Sequence, residues 1–95
     1  MSFEEFAASI QGESPPPMPQ ALQALWYDEA GDWDKAHDAA QADRGPAGAW
    51  VHAYLHRKEG DLGNAQYWYA KARQPVSKLP LEEEWEAIAR DLLKA

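Results

Sequence analysis

Residues 60–72, GDLGNAQYWYAKA, decide the fold, and residues 31–43, GDWDKAHDAAQAD, repeat their plan. Each stretch opens with Gly-Asp, continues with a large apolar residue (Trp33, Leu62) and sets an alanine three positions beyond it (Ala36, Ala65). A shift of 29 residues also lays Ala24 on Ala53. Glycine tolerates the left-handed backbone that ends one helix. Aspartate accepts hydrogen bonds from the free backbone N–H groups that open the next. The small alanine lets the two helices approach closely. Each unit therefore reads as helix, Gly-Asp turn, helix, and repetition at this scale points to stacked helical pairs.

The flanking sequence completes an all-α chain. Ser2 and Glu5 have capping-box spacing, and Phe3, Phe6 and Ile10 follow a helical period, which predicts a short N-terminal helix that must dock to be stable. Residues 11–19, QGESPPPMP, favour extended backbone and read as a tether. Pro19 suits the first turn of a helix with the stripe Leu22, Leu25 and Trp26. After Gly31-Asp32, a third helix presents Trp33, Ala36, His37 and Ala40 and stops near Arg44-Gly45-Pro46. A fourth carries Ala47, Trp50, Val51, Tyr54 and Leu55 inward and ends at Gly60. The fifth sets Leu62, Ala65, Tyr69 and Ala72 in register and closes at Gln74-Pro75. The last opens near Pro80, with Glu82, Glu83 and Glu84 at the positive end of its dipole, and has the stripe Leu81, Trp85, Ile88 and Leu92. The expected organisation is an N-terminal helix and tether over 1–18, then one domain over 19–95. Within that domain the units cover about 19–43 and 46–74, and a capping helix covers about 80–94.

Composition narrows the function. The 95 residues are 45 % hydrophobic, enough for one core and too many for a disordered chain. The absence of cysteine removes disulfides, thiolate metal sites and cysteine nucleophiles. A net charge of −7 argues against nucleic acid as partner. No apolar run approaches the ~18 residues of a membrane helix. The acidic start MSFEEFAASI is unlike a signal peptide, so a cytoplasmic location is expected. Charge is unevenly spread: residues 1–43 hold nine acids and one base, whereas 44–95 hold seven acids and eight bases. That basic second half could pair with the acidic front or steer an acidic partner.

Gly60, Asp61, Leu62, Ala65, Tyr69, Ala72 and Pro75, with Ala53 in the preceding helix, resemble the pattern of a tetratricopeptide repeat (TPR). The likeness covers roughly residues 20–75. The first unit departs from it at Ala40 and Asp43, and the period of 29 is shorter than the family's 34. The block AWVHAYLHRKEGDLGNAQYWY is also similar to a group of small, uncharacterised bacterial proteins, which implies no activity. The TPR resemblance implies two TPR-like helical pairs under a C-terminal capping helix, and a non-catalytic module that binds a protein or peptide on the face of the first helices. Carried onto this chain, that face holds Trp50, Tyr54, Arg57 and Lys58 in the second unit, and Ala21, Leu25, Asp28 and Glu29 in the first. Trp and Tyr beside Arg suit a partner's side chain or carboxylate. Two alternatives stand beside this. The aromatic pair could be core beneath the last helix, and the bases could pair with Asp28, Glu29 or the Glu82–Glu84 run.

Other residues carry weaker chemistry. In Tyr67-Trp68-Tyr69 one helix face cannot bury all three rings, so Trp68 beside Lys71 is expected as a contact for another element, solvent or a partner. A second copy of the chain is the simplest such partner. His52 and His56, at i and i+4, share a helix face and have the spacing of two metal ligands, with His37 or Glu59 as a third. Ala53 stands where a zinc hydrolase places its glutamate. The favoured reading of the histidines is packing, with a metal- or small-ligand site as the alternative. No nucleophile elbow or phosphate loop occurs, so neither catalysis nor a cofactor is expected.

Overall fold

Each Gly-Asp pair makes the same turn in the structure, a computed structural model that describes residues 1–94. Gly31 and Gly60 hold φ of 92° and 89°. The next amides reach back to close the helix: Asp32 N donates to the Tyr27 carbonyl and Asp61 N to the His56 carbonyl, both at 2.9 Å. The aspartates then cap forwards, Asp32 accepting from Lys35 N and Asp61 from Asn64 N. One short glycine-aspartate stretch thus satisfies the end of one helix and the start of the next.

The result is all-helical. α1 is Phe3–Ser9, α2 Gln20–Glu29, α3 Trp33–Ala42, α4 Pro46–Lys58, α5 Leu62–Ala72 and α6 Leu81–Lys94. Among the described residues there is no strand. Pro19 stands just before α2 as its cap, rather than in its first turn. The pairs α2–α3 and α4–α5 pack side by side, and α3 lies against α4. The α3–α4 corner is tight at Gly48: a Cβ there would stand 2.0 Å from the Asp43 carbonyl oxygen.

α6 lies across α2 and α4 and supplies the buried Trp85, Ile88 and Ala89. Trp85 Nε1 donates to the Leu25 carbonyl at 3.0 Å, and the Trp85 ring stacks on Phe6 at 5.8 Å. This contact docks α1, whose capping box at Ser2 and Glu5 is formed as expected. Trp26 joins the same core and donates to Ser9 Oγ at 3.2 Å. A smaller core of Ala53, Ala65 and Tyr69 seals α4 to α5. Leu62 differs from its expected inward place: it is 61 % exposed, while Ala65, Tyr69 and Ala72 carry the buried face of α5.

Candidate binding cleft and histidine cluster

The face expected to receive a partner is occupied by the chain's own side chains. Tyr54 is buried, 2 % exposed, and its hydroxyl donates to Asp28 Oδ2 at 2.8 Å. Lys58 donates to the other oxygen of the same carboxylate at 2.8 Å. Arg57 donates to Glu84 Oε1 at 2.7 Å and to the Leu79 carbonyl. Tyr69 donates to the second Glu84 oxygen. Asp28 and Glu84 are 5 % and 2 % exposed, so each buried carboxylate is matched to one base and one phenol. Burial, reinforced by those acids, pushes both phenols well above the usual tyrosine range. Of the alternatives open in the sequence, the structure places Tyr54 in the core and pairs both bases internally. Trp50 is half-buried and lines a cavity of about 470 Å³ with the 74–79 segment and α6.

A second, larger cleft of about 710 Å³ lies where α3 turns into α4 and meets α5. Trp68 and His52 form one wall, with rings stacked at 4.0 Å and an interplanar angle of 16°. Arg44, Lys71 and Arg73 stand around it, all exposed. None of the four ion pairs among the described residues involves these three cations. The one acid in the lining, Asp43, already accepts from Gly45 N at 2.9 Å. Lys71 Nζ lies 5.5 Å from the Trp68 ring centre and 5.4 Å from that of the exposed Tyr67. Arg73 ends α5 with φ 58°, the only non-glycine residue with positive φ among those described. A glycine is favoured at such a helix end, and a side chain there costs about 1 kcal/mol or more.

Behind the Trp68–His52 wall lies a cluster that gathers all three histidines of the chain. His37 comes from α3, and His52 and His56 from α4. The ε2 nitrogens of His37 and His52 are 2.9 Å apart, and one ring nitrogen from each of the three lies within 4.8 Å of the others. His56 turns Nδ1 to Glu59 Oε1 at 2.6 Å. Trp33 stacks on His37 at 5.0 Å and meets the edge of His56. Trp33 is itself fixed by a hydrogen bond from Nε1 to the Leu55 carbonyl at 3.3 Å. Burial, with the charges that His37 and His56 would carry, lowers the His52 pKa to about 4, so this ring is neutral near pH 7. The sequence offered the i, i+4 pair with His37 or Glu59 as a third member, and the fold brings His37 against His52 and Glu59 against His56.

Compared with family models, with curated proteins and with solved structures, the chain shows no significant match. No helix among the described residues is long and apolar enough to cross a membrane.

Proposed function

We propose that the chain is a non-catalytic binding module that takes an acidic protein segment into the cleft between α3, α4 and α5. The observation that carries this reading is the set of unpaired cations Arg44, Lys71 and Arg73 around the Trp68 ring. Arg57 and Lys58, by contrast, each pair with a buried carboxylate. Here three cations and a single acid leave a local excess of positive charge on a chain of net −7. Salt screens the distant acids beyond about 8 Å, so the local excess governs close contact. Arginine offers a planar fork to carboxylates, and the Trp68 ring, backed by His52, lines the same cleft. The left-handed Arg73 fits this role, since backbone strain is commonly retained where a side chain is needed.

The test is fluorescence anisotropy with a labelled Asp/Glu-rich peptide, against the wild type and an Arg44→Glu, Lys71→Glu, Arg73→Glu variant. The module reading expects saturable binding that weakens with added salt and is lost in the variant. The acidic residues 1–43 are themselves a candidate segment, so self-association is followed by sedimentation in the same samples. Equal binding by the variant, or none by the wild type, removes the reading.

A further inference from the structure

We propose that His37, His52 and His56 form a three-nitrogen site for a borderline divalent transition-metal ion, with Glu59 as the residue that orients His56. The inference does not depend on the cleft and adds a ligand of different chemistry.

Three observations converge on it. First, the whole imidazole complement of a chain without cysteine meets at one point, drawn from two helices. His52 and His56 share a face of α4, and the packing of α3 on α4 adds His37 across the interface.

Second, the spacing is close to that of a ligand set. Two nitrogens bound to one ion at about 2.1 Å stand roughly 3.0–3.4 Å apart. The His37 and His52 Nε2 atoms, at 2.9 Å, already point at one another. One ring nitrogen of each histidine falls within 4.8 Å of the others, and the stacked His52 and His56 rings, 4.7 Å and 26° apart, must turn for the three to meet on one ion. Without an ion, one of the facing Nε2 atoms must carry the hydrogen shared with the other. When an ion binds, that hydrogen moves to Nδ1 of the same ring, which stays neutral, and both Nε2 lone pairs are then free for the metal.

Third, the His56–Glu59 contact is the arrangement in which a carboxylate receives a ring N–H, fixes the tautomer and leaves the other nitrogen as ligand. In the proposed site His56 therefore binds through Nε2. The Trp33 and Trp68 rings pack the imidazoles from α3 and α5. Neutral imidazoles select zinc, copper, nickel or cobalt over magnesium or calcium, which take oxygen ligands. Three protein ligands leave a further position to water or another small ligand.

The experiment uses the full chain without a histidine tag, stripped with chelator and shown to be folded by circular dichroism. Zinc chloride is titrated in by calorimetry, and cobalt(II) is followed by its visible ligand-field absorption. The proposal expects one ion per chain, with tetrahedral-type cobalt bands that zinc displaces. His37→Gln and Glu59→Gln should each weaken zinc binding about tenfold or more. Because neither residue lines the cleft, binding of the acidic peptide should stay unchanged in both, which separates the two proposals. Should His37→Gln fail to fold, imidazole NMR of the wild type decides: zinc must shift the ring signals of all three histidines. Absence of zinc and cobalt binding by the folded chain overturns the proposal. So do unchanged affinity in the folded variants and a zinc shift confined to fewer than three rings.

Discussion

Replacing Arg57 with alanine distinguishes a structural base from a partner-binding one. The Arg57 guanidinium sits on the Glu84 carboxylate at 2.7 Å, with side-chain exposures of 18 % and 3 %. Its second amino group ties down the Leu79 carbonyl in the segment before α6. Arg57→Ala leaves a carboxylate buried with the Tyr69 hydroxyl as its remaining partner. Removing one member of a buried ion pair costs about 3–5 kcal/mol, because the other charge stays out of water without compensation. The partly exposed guanidinium places the expected loss near the lower end, about 3 kcal/mol. Glu84→Gln keeps the shape and leaves Arg57 able to reach water, so it should cost only about 1–2 kcal/mol. The double variant should then lie close to Glu84→Gln alone, giving a coupling of about 2 kcal/mol or more. Urea unfolding followed by circular dichroism measures all three, with two-state behaviour checked by a second probe. A loss below about 1 kcal/mol for Arg57→Ala, with no coupling, would refute the view that this base holds α4 to α6. It would return Arg57 to the set of groups free to meet a partner.

Arg73→Gly should leave stability unchanged or raise it by up to about 1 kcal/mol, since it relieves a left-handed side chain, while weakening the acidic peptide. Thermal melts and anisotropy on one sample check both halves. Gly60→Ala should cost about 1 kcal/mol from its φ of 89° alone, because a Cβ there meets nothing within 4 Å. Gly48→Ala should cost more, about 2 kcal/mol or above, because its Cβ would collide with the Asp43 backbone. Urea midpoints rank the two. Truncation before Leu79 should leave a chain that melts without cooperativity, since it removes the buried Trp85, Ile88 and Ala89. A sharp melt at the original temperature would make α6 an appendage.

The pH dependence has a definite sign. The folded His52 pKa, about 4, lies below its ordinary value of 6.5, so the unfolded chain takes up this proton more readily. Stability from this ring is therefore complete above about pH 6.5, falls as pH drops through the window between the two values, and is exhausted near pH 4. With allowance for solvent at the half-buried His37, about 2 kcal/mol is expected in chelator-treated protein. Urea titrations at a series of pH values give the slope, and His52→Gln should flatten it. A slope that persists unchanged in that variant would assign the effect to the carboxylates.

Local chemistry explains what the sequence made legible. A Gly-Asp turn closes one helix and caps the next within a few residues, so Gly31-Asp32 and Gly60-Asp61 could be read directly. The stripe of α6 and the docking of α1 were legible for the same reason, as period and capping box. The carboxylate networks were legible only as one of two alternatives, with Asp28 and the Glu82–Glu84 run named as acids that Arg57 and Lys58 could meet. Asp28 meets Tyr54 and Lys58 across 26 and 30 positions, and Glu84 meets Arg57 across 27, so their partners exist only once α2, α4 and α6 are packed. The resemblance set Tyr54, Arg57 and Lys58 on an open groove; the alternative, core beneath the last helix with the bases on its acids, describes Tyr54 and Arg57 in the packed structure. Arg44 and Arg73 carried only one signal in the sequence, the basic balance of the second half, and Lys71 one more, its place beside Trp68. The turn at Gly45-Pro46 and the left-handed end of α5 bring them around Trp68.

The measurement closest to the central claim is the indole region of a ¹⁵N NMR spectrum during titration with the acidic peptide. Five tryptophans give five side-chain signals, and two of them mark the competing faces. Trp68 lines the basic cleft, and Trp50 stands on α4, the helix that carries the expected groove residues Tyr54, Arg57 and Lys58. Binding in the basic cleft gives a saturable shift of the Trp68 indole while Trp50 stays in place. A shift of Trp50 with Trp68 unmoved would contradict it.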